Sequence, residues 1–245
     1  VAEGVTTVEQ KEHHHSSQGE KLSILLIAIV SLIILFNQFQ ISQLSGMISG
    51  TGAFTSGPTT GATTGGIKVD ATGDVVNEVI KQVIPTGTPE YGAEIGVSFD
   101  DPVNSLPVLA RLDRAIPTSS LTPEQRERYL SQATRISCEY CCGVPAVADE
   151  QGRELCGCSH AYALRGLPKY LITQHPDWTD EEIYWELTRW KALWYPRNTV
   201  EKGIALASND MEITAEALND RDLLRKISAG NTADIGSLPN MVGGC

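Results

Sequence analysis

The stretch 138-CEYCCGVPAVADEQGRELCGCSHAYALRGLPKYLITQHPDWTDEEIYWELTRWKALWYP-196 carries five of the six cysteines and all four tryptophans of a 245-residue chain. Its second half reads as two helices. Ser159 opens the first, expected to run to about Gln174 with a bend or break near Pro168, where the ring removes one backbone donor and crowds the preceding turn. His160 starts the inward face of that helix, and Leu164, Leu167 and Leu171 continue it at helical spacing. Thr179 and Glu182 then form a capping box. From there Ile183, Leu187, Trp190 and Trp194 line one face until Pro196 ends the helix. The six aromatic residues Trp178, Tyr184, Trp185, Trp190, Trp194 and Tyr195 read mainly as packing, with Trp185 off the main face and suited to a membrane interface.

Working outward, the same helical period recurs. Val75, Val76, Val79, Ile80 and Val83 give a short amphipathic helix stopped by Pro85, and 85–101 reads as loop. Asp101 before Pro102 and Thr122 before Pro123 are helix starts, the second running to about Thr134. Asp100 and Asp101 read as a solvated neighbour and a cap, not as a catalytic pair. Towards the C-terminus, helices are expected at about 199–208 and 213–228. Few alternating patterns compete, so the fold class is mainly α. The expected organisation is a polar tail at 1–19, an apolar transmembrane-type helix at 20–43, a stalk at 44–67, a helical region at 68–135, a Cys/His module at 136–200 and a C-terminal helical extension at 201–245.

The chemistry lies in C-x-x-C-C, thirteen residues, C-x-C-x-H: Cys138, Cys141, Cys142, Cys156, Cys158 and His160. Thiolates two or three positions apart converge on one ion, and the insert Gly143 to Leu155, with Pro145 and a turn at Asp149 to Gly152, doubles back to bring the second group round. Zn²⁺ takes four such ligands tetrahedrally, Cu(I) suits a thiolate-rich C-x-C, and an iron–sulfur cluster needs only four thiolates. Disulfides are the competing reading. Neighbours such as Cys141 and Cys142 pair poorly with each other, so two bridges would cross between the clusters and leave Cys138 for Cys245, which otherwise suits an intermolecular bond. A catalytic dithiol fits less well, because no thioredoxin-like βαβ pattern surrounds the C-x-x-C. His175 ends its helix as a dipole partner, and His13, His14 and His15 sit in the polar tail.

Residues 22–67 contain no Asp, Glu, Lys, Arg or His. Leu22 to Phe36 is long and apolar enough, with its uncharged continuation, to cross a bilayer as a helix. A signal peptide fits less well, because mixed charged residues precede the run. Lys11 and Lys21 before the helix place the N-terminus in the cytoplasm and the large C-terminal part outside. The alternative is an extracellular assembly, in which such helices pack against copies of themselves and the chain is a homo-oligomer. Fourteen of the eighteen residues from Ser49 to Gly66 are Gly, Ser or Thr, a composition that buries too little to order itself.

A net charge of −11 excludes a non-specific nucleic-acid binder. No phosphate-loop pattern marks a nucleotide site. No nucleophile, base and orienting group are linked by spacing, so catalysis ranks behind binding and assembly.

IPTGTPEYGAEIGVSFDDPVNSL at 84–106, CEYCCG at 138–143, CGCSHAYALRGLPKYL at 156–171 and WKALWYP at 190–196 together resemble a set of membrane-anchored prokaryotic proteins, mainly archaeal, with an N-terminal helix, a polar stalk and this Cys-His module. The likeness covers about residues 20–200. It implies location and architecture and carries no assigned activity. The extension after Val200, with Cys245, departs from it. The resulting expectation is a membrane-anchored extracytoplasmic module that binds a soft transition metal for metal handling or structural stapling. Its alternative is a disulfide-linked subunit of a cell-surface assembly or filament.

Overall fold

Local caps decide where the helices of this chain begin. In the computed structural model, residues 66–70, 73–230 and 232–244 are described, and all fall within the unit Gly57–Cys245. The tail at 1–19, the apolar segment at 20–43, the stalk as far as residue 65 and Cys245 lie outside the described residues. The first described helix, α1 (Val75–Val83), is capped by Asp74, which accepts from the Asn77 N–H. A single turn, α2 (Gly92–Ile95), interrupts the segment expected to be loop and closes at Gly96 with φ +74°, a conformation that glycine adopts without strain. Asp101 caps α3 (Pro102–Ala115). Capping boxes open α4 (Pro123–Ala133), from Thr122 and Gln125, and α6 (Asp180–Trp194), from Thr179 and Glu182. Between them lies α5 (Ser159–Gln174). After it come α7 (Pro196–Ser208), α8 (Ala215–Asn219) and α9 (Leu223–Lys226).

The described residues are mainly α and contain no strand, only isolated bridges between Ile67 and Ile213 and between Ala148 and Glu154. Among them no helix is long and apolar enough to cross a membrane. Two helix expectations change. Of the bend or break expected near Pro168, the break does not occur: α5 passes through it as one helix, because Pro168 is buried in the surrounding packing, which outweighs one missing hydrogen bond. The pattern at 213–228 divides into α8 and α9 because the Asp220 carboxylate accepts from the Asp222 N–H at 2.9 Å, a local turn that competes with the helix.

The most extensive helix pairing is α3 against α5. Gly166 permits it: a Cβ there would stand 2.6 Å from both the Leu109 carbonyl oxygen and the Asp113 amide nitrogen. Backbone atoms cannot yield as side-chain tips do, so the two helix axes approach only because the side chain is missing. The aromatic helix α6 runs through the core, with Ile183, Leu187, Trp190 and Trp194 all buried. Trp185 is buried too, at 8% exposure, and so forms no membrane-interface belt. The C-terminal residues return across this helix, where the Val242 N–H donates to the Trp194 carbonyl.

Candidate metal centre

The chain leaving α4 and the insert that follows are tied together by backbone hydrogen bonds. The Val147 N–H donates to the Ile136 carbonyl at 2.9 Å and the Ala148 N–H to the Ala133 carbonyl at 3.2 Å. The insert then reverses at Asp149, whose carboxylate accepts from the Gln151 and Arg153 amides, with Gly152 at φ +81°. On the way back the Leu155 N–H donates to the Val147 carbonyl at 3.1 Å, which sets Cys156 beside Cys138. Arg165 of α5 fastens this hairpin by donating from Nη1 to the carbonyls of Cys156, at 2.8 Å, and Val147, at 3.3 Å. Two residues on, Cys158 serves as the N-cap of α5, its Sγ accepting from the Ala161 N–H at 3.4 Å.

As a result the sulfurs of Cys138, Cys142, Cys156 and Cys158 all lie within 4.8 Å of one another. Cys138 is 3.7 Å from Cys158 and 4.0 Å from Cys156, and Cys156 is 3.6 Å from Cys158. A tetrahedron with metal–sulfur bonds of about 2.3 Å has sulfur–sulfur edges of about 3.8 Å, so these separations suit one ion. Cys142 and Cys156 also pair as a disulfide, with Cα atoms 6.7 Å apart. The same four sulfurs therefore serve two mutually exclusive chemistries. Bridging Cys142 to Cys156 leaves Cys138 and Cys158 as thiols, whereas an ion engages all four.

Cys141 and His160 stand beside this quartet, outside the four converging groups. Cys141 lies 3.9 Å from Cys142, sulfur to sulfur. His160 is fully buried; its Nε2 meets the Val242 carbonyl at 2.9 Å and its Nδ1 the Tyr195 hydroxyl at 3.2 Å. A carbonyl only accepts, so Nε2 carries a proton in that contact. The imidazole also packs on the rings of Trp194 and Tyr195. It thus orients the wall behind Cys158. Cys245 lies outside the described residues.

The local electrostatics divide the two thiols that the disulfide leaves free. A hydrogen bond from Cys138, helped by the Ala161 amide, draws the Cys158 thiol down, while the same contact with Cys158 and burial push the Cys138 thiol up.

The chain matches no protein-family model, no curated protein and no solved structure.

One group of functional weight escapes the sequence pattern. Glu139, inside C-E-Y-C-C, is buried and accepts from Lys191 of α6 at 2.9 Å and from Lys202 of α7 at 2.5 Å. Lys191 also donates to Asn219, and Lys202 to the Leu218 carbonyl. Burial alone would raise the Glu139 carboxyl; the two ammonium groups outweigh it and hold the carboxyl below its ordinary value. Burial lowers Lys191 to about 8, with Glu139 and the nearby Cys138 acting in the other direction. With both lysines charged, the cluster places a net positive charge next to a thiolate-rich site. The visible hint in the sequence is a lysine between Trp190 and Trp194 on a buried helix.

Proposed function

We propose that the chain is a membrane-anchored extracytoplasmic module in which Cys138, Cys142, Cys156 and Cys158 bind one Zn²⁺ that staples the Cys-rich loops to the helical core. The observation that carries this reading is the convergence of four sulfurs, from two segments of the chain, within 4.8 Å. A four-sulfur tetrahedron suits Zn²⁺. Cu(I) is satisfied by fewer thiolates. An iron–sulfur cluster distributes its thiolates over several irons and needs wider separations than one ion does. Charge supports the same choice: four thiolates on a divalent ion carry two net negative charges, and the Lys191–Glu139–Lys202 cluster offsets part of them. The anchor and the outward orientation rest on the uncharged segment from Leu22 and on Lys11 and Lys21, in keeping with the likeness to membrane-anchored prokaryotic proteins.

A surface assembly with oxidised cysteines is the second reading, and the intrachain pairing of Cys142 with Cys156 supports its oxidised state. Cobalt substitution separates the two. Protein purified reduced and loaded with Co²⁺ should show thiolate-to-cobalt charge transfer and the visible bands of a tetrahedral site. Both should weaken, with loss of about one thiolate's share of the charge-transfer intensity, in Cys138→Ser and Cys158→Ser and stay at the parent's level in Cys141→Ser. An octahedral, weakly absorbing spectrum, or equal loss in Cys141→Ser, would overturn the assignment of this quartet.

A further inference from the structure

A second polar site lies on the other side of Arg165. Between α3, α5 and the insert hairpin is a cavity of about 400 Å³ whose walls include Arg114, Tyr129, Glu154, Tyr162, Arg165 and Lys169. That size suits a small metabolite. The floor is a buried ion cluster. Lys169 meets one oxygen of Asp113 at 2.5 Å, and Arg165 Nε donates to the other at 3.0 Å. Arg165 is 1% exposed, yet its Nη2 has no hydrogen-bond partner. Asp113 and Glu154 oxygens lie 3.0 and 3.1 Å from that nitrogen, but neither makes a hydrogen bond with it. A buried guanidinium normally has its donors satisfied, because an unmet one carries a desolvation cost.

The remaining groups converge on the same space. The guanidinium carbons of Arg114 and Arg165 stand 5.2 and 4.7 Å from the centre of the Tyr162 ring, so one exposed and one buried cation share one aromatic wall. Tyr129 is raised to about 12, by burial first, and so supplies a neutral hydroxyl. Asp113 is already balanced by two cations. Glu154, by contrast, is 55% exposed and sits on the hairpin, free to move away from Arg165 when another acceptor arrives.

We propose that this cavity binds a small oxyanion, a carboxylate or phosphate group, that accepts from Arg165 Nη2 and Arg114 in place of Glu154. The proposal is independent of the metal reading, since it uses no cysteine side chain. Because Arg165 also holds Asp113 and the Cys156 carbonyl, its removal would disturb folding, and the test uses peripheral residues instead. Calorimetric titration of the full chain with inorganic phosphate, and separately with malonate, should detect saturable binding of at least one. Arg114→Gln should weaken that binding about tenfold, the effect of losing one charge-assisted contact of about 1.4 kcal/mol. Glu154→Gln should strengthen it several-fold, a gain that misfolding does not produce. Absence of saturable binding by both anions, or a Glu154→Gln variant that binds no better than the parent, would overturn the proposal.

Discussion

Glu139→Ala should be among the most damaging single substitutions in the chain, lowering stability by about 3–5 kcal/mol, because it leaves Lys191 and Lys202 buried with no counter-charge. Both lysines are nearly inaccessible and both reach the same carboxylate, at 2.9 and 2.5 Å. The loss should appear as a lower denaturant midpoint without loss of helical content in water. Replacing the whole cluster, with Glu139→Leu, Lys191→Met and Lys202→Met together, should recover most of that stability, since apolar groups of similar volume need no partner. A Glu139→Ala protein within about 0.5 kcal/mol of the parent would show that the two lysines reach water or another acceptor.

Metal removal should have the second large effect, confined to one part of the molecule. Structural zinc contributes folding free energy directly, about 10–16 kcal/mol of apparent binding in small zinc domains. Here the helices around Gly166 and the α6 tryptophans bury a core of their own, so that core should survive a strong chelator. The residues closest to the ion are 136–158, which are otherwise held by one bridge, a few backbone hydrogen bonds, Arg165 and the Glu139 ion cluster, and of these only the bridge and the backbone bonds lie within the loops themselves. Hydrogen exchange before and after chelation should show lost amide protection from Ile136 to Cys158 and at the first turn of α5, with α3 and α6 unchanged. Cys138→Ser should reproduce that pattern without a chelator. Unchanged protection across 136–158 would mean that the segment's own backbone and side-chain contacts hold the loops without an ion.

Much of the helical scaffold is legible because its signals are local. Asp101, Thr122 and Thr179 each meet an amide three residues away, so a short window of sequence contains both partners. The hairpin at Asp149 to Gly152 is readable for the same reason. The division of 213–228 is less so, because the apolar spacing and the Asp220 turn are both local signals and only packing decides between them. Within the site, convergence of the two cysteine groups follows from their spacing, but the spacing does not choose Cys142 over its neighbour Cys141. The position of His160 depends on Tyr195 and on Val242, 82 residues away. Glu139 finds its lysines 52 and 63 residues along the chain, and no periodicity links them. Side chains that act across helices are set by the tertiary fold, and the pattern of one segment does not contain that information.

Metal content and thiol accounting on the full chain, purified anaerobically and again in air, test the central claim most directly. One ion per chain is expected under anaerobic conditions, with Cys138, Cys142, Cys156 and Cys158 alkylated only after chelation. Metal-free protein from both preparations, with Cys142 and Cys156 recovered as one cross-linked peptide, would contradict it.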